Sequence, residues 1–216
     1  MFSKSFLIKP LAAAALLALA SASQAGITVY TSQAAFAAAT TATGVDTFTG
    51  FSITGSTPSP ITRNAGPYTY TGTVSTTSFF GAGTTANPWL SSNTATDTMT
   101  FSGFTGGVRA AGGNFFGSDI SGLFAAGDIT LTATDASGTV TQTIVGATTS
   151  SFLGFVSTGL LTSITVTSVQ PVASFLWPTV DNLTLGLAAA VPEAQTYAMM
   201  LAGLGLMGFM ARRRRG

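Results

Sequence analysis

From Gly127 to Thr134 the residue character changes at every step: Ile129, Leu131 and Ala133 share one parity, and Thr130, Thr132 and Thr134 share the other. A period of two marks a strand with one buried and one wet face. Threonine, branched at Cβ, favours that backbone over a helix. Thr139 to Val145 is equally β-rich, and Asp135-Ala136-Ser137-Gly138 between the two runs predicts a hairpin with a four-residue loop. Thr and Gly dominate almost every segment after Thr40, which excludes a helical fold.

Further strands are expected at Ile27–Tyr30, Val45–Phe51, Pro67–Ser75, Asp97–Phe104, Gly107–Phe116, Phe152–Ser157, Leu161–Val169 and Phe175–Leu187. An alanine-rich run over Gln33–Ala39, centred on Phe36 and preceded by Thr31 or Ser32 as N-cap, predicts one small helix. Thr54–Pro67 reads as a loop because of Pro58, Pro60, Gly66 and Pro67. Ser78–Asn93 reads as a second, long loop with Trp89-Leu90 as an apolar anchor. Gly112-Gly113 marks a bulge or a close backbone approach, and Pro178 restricts the last strand to an edge or a bulge. Eight to ten short strands and one helix predict an all-β fold, an antiparallel, jelly-roll-like β-sandwich over residues 26–187.

The two ends differ from this middle. Residues 1–25 have the parts of a signal peptide: Lys4 and Lys9, an apolar core from Leu11 to Ala20, and a small-x-small cleavage site at Ser23-Gln24-Ala25. Signal peptidase and the secretion machinery are the partners this implies. Residues 188–216 begin a tail with Val191, Pro192 and Glu193, continue uncharged over the sixteen residues Thr196–Ala211, and end in Arg212, Arg213, Arg214 and Arg215. Sixteen helical residues span roughly 24 Å, short of the roughly 30 Å of a bilayer core. Snorkelling arginines close most of that gap, so residues 196–211 are expected to form a transmembrane helix. Arginines beside a span stay on the cytoplasmic side, which places the preceding chain outside the cytoplasm.

This order of Pro-Glu, apolar span and arginine cluster resembles the PEP-CTERM sorting signal of Gram-negative bacteria. The resemblance implies cutting by an exosortase-like membrane protease and an association with exopolysaccharide and biofilm. The second proline of the family's Pro-Glu-Pro is Ala194 here. The segments Gly112–Asp119, Ile129–Leu131, Phe152–Phe155 and Val180–Leu183 also look like the exported β-domains found ahead of such tails, which implies a lectin-like sandwich.

Between Gly26 and Ala190 the only bases are Arg63 and Arg109, against six aspartates, a net charge of −4. The basic balance of the whole chain therefore comes from its ends and gives no ground for nucleic-acid binding. The chain has no cysteine and no histidine, which removes disulfides, Ser-His and Cys-His nucleophiles and most transition-metal sites.

Three chemistries remain. Sugar binding needs an aromatic platform beside amides or carboxylates, for which Trp89 next to Asn87 and Asn93 is the first candidate and Tyr68 and Tyr70 the second. Calcium needs gathered oxygen ligands, and Asp119, Asp128, Asp181 and Asn182 are the candidates. A polysaccharide-processing enzyme needs two opposed carboxylates, drawn from Asp119, Asp128 and Asp135, all at positions where turns favour Asp. The expected role is a noncatalytic exported surface or matrix protein with no catalytic residues. A carbohydrate-binding or calcium-dependent lectin-like module and the enzyme are the alternatives.

Overall fold

The computed structural model describes residues 26–190 and, in the tail, Met200, Leu201, Gly203, Leu204 and Met207, all five in helical conformation. The chain divides into two units, Ala25–Ala189 and the terminal segments taken together. The fold below is that of the first. The signal-peptide residues with Ser23 and Ala25, the Val191-Pro192-Glu193 triplet, Arg212 to Arg215 and the rest of the 196–211 span lie outside the described residues. Among the described residues no helix is long and apolar enough to cross a membrane.

In chain order the elements are β1 Ile27–Tyr30, α1 Gln33–Ala38, β2 Thr40–Asp46, β3 Ser56–Pro58, β4 Ile61–Ala65, β5 Tyr68–Val74, β6 Ser78–Thr84, β7 Asn87–Ser92, β8 Met99–Ser102, β9 Ala110–Ser118, β10 Phe124–Ala125, β11 Gly127–Asp135, β12 Gly138–Ala147, β13 Phe152–Ser157, β14 Leu161–Ser168 and β15 Trp177–Ala188. They form two antiparallel sheets packed as a sandwich. The larger has the order β1-β13-β9-β15-β7-β6-β3, with β10 on β9 and β2 on β15; the smaller has the order β12-β11-β14-β8-β5-β4. Phe79, Phe101, Phe115, Phe155, Leu90, Met99, Ile129 and Leu131 are fully buried in one continuous core. The threonines of β11, on the opposite parity from Ile129 and Leu131, stay half-exposed.

Local chemistry explains the boundaries. Ser32, extended at φ −126°, caps α1 by accepting the Ala35 N–H, and Phe36 is the one residue of the helix that is buried. The strand expected over Val45–Phe51 instead occupies Thr40–Asp46. It stops where Asp46 accepts the Phe48 N–H at 2.8 Å and Phe48 turns to φ 55°, an Asx turn that re-aims the chain. The β11–β12 hairpin has a two-residue turn, shorter than expected, since Asp135 and Gly138 pair as its last rung and the Asp135 carboxylate takes both the Ser137 and Gly138 N–H groups.

Both expected loops prove to contain strands. Thr54–Pro67 holds β3, a sheet-edge strand ending in Pro58, and β4, whose proline neighbours lie just outside it. Ser78–Asn93 is the β6–β7 hairpin, turned at Thr85-Ala86. Phe79 and Leu90 supply the burial that holds it. These four strands and the two-residue β10 raise the strand number among the described residues to fifteen.

The last strand is central rather than an edge. β15 lies against β9 on one side and gives the other first to β7, at Thr179 and Val180, and then to β2, from Leu183 onward. The handover coincides with a register shift between Asp181 and Thr184, where Asn182 adopts φ 54°. The bulge expected near Gly112-Gly113 is on this partner strand, and a Cβ on Gly113 would stand 3.1 Å from the Asp181 carbonyl. Pro178 is tolerated because it precedes the β7 ladder, and its carbonyl accepts the Ser91 hydroxyl.

Candidate functional site

The aromatic candidates for sugar stacking are used inside the fold. Tyr70 is fully buried and donates to Asp46 at 2.7 Å. Tyr68 is buried and donates to the Ala42 carbonyl. Both point inward because they share the buried parity of β5. Trp89 is half-buried and packs edge-on against Phe116, ring centroids 4.8 Å apart. Its indole nitrogen is buried without a partner among the described residues.

The calcium candidates are scattered. Asp119 accepts the Ser121 and Leu123 N–H groups, and Asp128 accepts the Gly146 N–H at 2.8 Å. Asp181 sits in the middle of β15, and Asn182 forms the adjoining bulge. Among the described residues no three acidic side chains gather at one point. What the fold does bring near one another is Asp181 and Trp89, since Asp181 is one step beyond the β15–β7 rung formed by Val180 and Leu90.

The strongest electrostatic feature is a staple between strands. Arg63 donates Nε and Nη2 to the two oxygens of Asp46, at 2.6 and 2.7 Å. Its guanidinium also lies 4.7 Å from the Phe51 ring centre. The Asp46 hydrogen bond holds the Arg63 pKa above its ordinary value, and burial raises that of Tyr70. With both Asp46 oxygens occupied, this cluster fixes β2 to β4 and β5.

The open site is elsewhere. A groove of about 480 Å³ runs between the start of α1, the edge strand β12 and the turn entering β13. Thr31 and Gln33 stand on one side, Gln142 and Thr143 on another, and Ser150 and Phe152 complete the wall. The Phe152 ring is half-buried and propped by Phe36, centroids 5.4 Å apart. Gln33 and Gln142 are exposed, and the Gln142 amide makes only a 3.3 Å contact to the neighbouring Thr143 carbonyl. The lining carries no charge, so it offers amide donors and acceptors, hydroxyls and one apolar ring to a neutral polar ligand.

Residues 190–215 match the family model of the PEP-CTERM protein-sorting motif. The chain carries a PEP-CTERM tail. That motif makes this an exported protein, sorted to the cell surface with a C-terminal membrane-anchoring signal and processed by an exosortase. No curated protein and no solved structure matches the chain. The PEP-CTERM match thus identifies the sorting route, while the chemistry of the β-sandwich rests on its own geometry.

Proposed function

We propose that this protein is a noncatalytic component of the cell surface or extracellular matrix, whose lectin-like, jelly-roll-like sandwich associates with neutral exopolysaccharide, as in a biofilm. The sorting motif supports the destination. The observation that carries the ligand class is the uncharged groove lined by Gln33, Gln142 and Phe152. Sugar hydroxyls need donors and acceptors that cost little to desolvate, and a half-buried ring takes the C–H face.

The noncatalytic part of the reading is supported by the occupations of five of the six aspartates, Asp181 being the one with an unpartnered oxygen. Asp46 pairs with Arg63, Asp97 accepts the Ser75 and Thr76 hydroxyls, Asp135 accepts the Ser157 hydroxyl, Asp119 holds a turn, and Asp128 accepts the Gly146 N–H across to β12. Carboxylates so engaged are poor general acids or bases.

The test is binding of the full-length chain, in detergent micelles, to a neutral glucan and to an anionic uronic-acid polymer. Binding to the neutral polymer is expected, weakened about tenfold by Gln33→Ala, the equivalent of one lost hydrogen bond of 1 to 1.5 kcal/mol. Equal binding by the Gln33→Ala chain, or preference for the anionic polymer, overturns the assignment.

A further inference from the structure

β12 ends the six-stranded sheet, and among the described residues no strand lies along its outer side. Such an edge presents unpaired N–H and C=O groups that template another strand, and sheets ordinarily blunt it with shortness, proline or charge. Three other sheet ends follow that practice. β1 has four residues, β3 has three and ends in Pro58, and β4 has five and carries Arg63. β12 has ten residues, contains neither proline nor a charged side chain, and is exposed over much of its length; its bulge, at Val145-Gly146, lies beyond the regular stretch Thr139–Ile144. Val145 on it is 79% exposed.

The sequence of this edge is nearly its own mirror image. About Gln142, Thr141 reflects Thr143 and Val140 reflects Ile144. Two antiparallel strands related by a two-fold axis place each residue opposite its reflection. An axis at Gln142 therefore sets Thr141 against Thr143, Val140 against Ile144 and Gln142 against its own copy. β12 already makes such matches with β11, where the Thr130 and Thr143 hydroxyls lie 2.9 Å apart and those of Thr132 and Thr141 2.8 Å apart. Cross-strand threonine pairs of this kind stabilise antiparallel ladders. One line of threonines, Thr73, Thr100, Thr165, Thr132 and Thr141, already crosses five strands of the sheet. Thr143, Thr130 and Thr167 of a second copy would extend it.

We propose that β12 is an assembly edge: it takes β12 of a second copy, antiparallel about Gln142, and joins two six-stranded sheets into one. The absence of charge along the strand removes the repulsion that would otherwise oppose pairing of two acidic domains.

The chain has no cysteine, so a single introduced thiol reports the contact. Gln142→Cys in the full-length chain, oxidised mildly in micelles without glycan because Gln142 also lines the groove, should run as a disulfide dimer on non-reducing gels. Thr165→Cys, in the middle of the sheet on β14, should stay monomeric under the same conditions. Adding Thr141→Lys and Thr143→Lys to Gln142→Cys should abolish the dimer, while the far-ultraviolet circular dichroism stays that of the folded sandwich and the thermal midpoint falls by the loss of the two threonine pairs. The unsubstituted chain should show twice the monomer mass by light scattering after correction for detergent. A monomeric Gln142→Cys chain, equal cross-linking at Thr165→Cys, indifference to the lysines, or a monomeric unsubstituted chain each overturns the proposal.

Discussion

Burial pushes the Asp181 carboxyl above its ordinary value of 3.8, and its Oδ1 has no partner among the described residues. A raised native pKa means that ionisation opposes folding at neutral pH and ceases to do so as pH falls through that value. Asp181→Asn should therefore raise the thermal midpoint at pH 7, and the advantage should shrink as pH approaches 4. Asp135 has the opposite sign. The Ser157 hydroxyl, with the Ser137 and Gly138 N–H groups, lowers its pKa, so the stability it supplies is present at neutral pH and is lost as pH falls from the ordinary range through the lowered one. Asp135→Asn should lower the midpoint at pH 7 and lose less on acidification. Unfolding scans at pH 7 and pH 4 check both, and an Asp181→Asn chain less stable at pH 7 would mean that the carboxylate is held charged by something bound. Residue-scale partners like these are poorly legible in a sequence. The parity of β5 already turned Tyr68 and Tyr70 inward, but Tyr70's partner Asp46 lies 24 positions away. The groove is harder still to foresee, since Gln33 and Gln142 meet only when the strand carrying one passes the helix that begins at the other.

At the scale of elements, α1 is held by one side chain. Phe36 packs on the bare backbone of Gly154 in β13, and a Cβ added there would collide with the Phe36 ring. Gly154→Ala should thus cost about 1–3 kcal/mol, as overpacking does, and displace α1 together with the Gln33 side of the groove. Urea unfolding gives the cost, and neutral-glucan binding should fall with it. An unchanged midpoint would show that the helix shifts freely. Strands with strict alternation, β5 and β11, could be read from the sequence because one face is wetter than the other. The β6–β7 hairpin could not, because Gly81, Gly83, Pro88 and the neighbouring asparagines give the composition of a loop. Gly81 is there for contact: its missing Cβ leaves room for the Ser52 carbonyl. Pro178 pointed to an edge or a bulge, and the strand proves central and bulged, the proline standing where the β7 ladder has not yet begun.

At the scale of the whole molecule, the charge divides the sorting signals from the sandwich. The sandwich unit holds two bases and six acids, while the remaining bases stand in the two terminal segments. With the arginines expected to stay cytoplasmic, an exosortase would meet Val191-Pro192-Glu193 at the membrane once the sandwich has been exported. Ala194 replaces a proline there. Proline would remove one backbone donor and fix φ, which keeps the cutting region extended rather than letting the apolar helix grow backward into it. Ala194→Pro should therefore raise the fraction of processed protein in an exosortase-bearing host, and Glu193→Ala should lower it. Intact masses from medium and membrane fractions read both. The protein in the medium should begin at Gly26 and lack Arg212–Arg215, and the Glu193→Ala chain should accumulate at full tail length in the membrane. A released chain that still carries its arginines would show that it leaves the membrane without being cut.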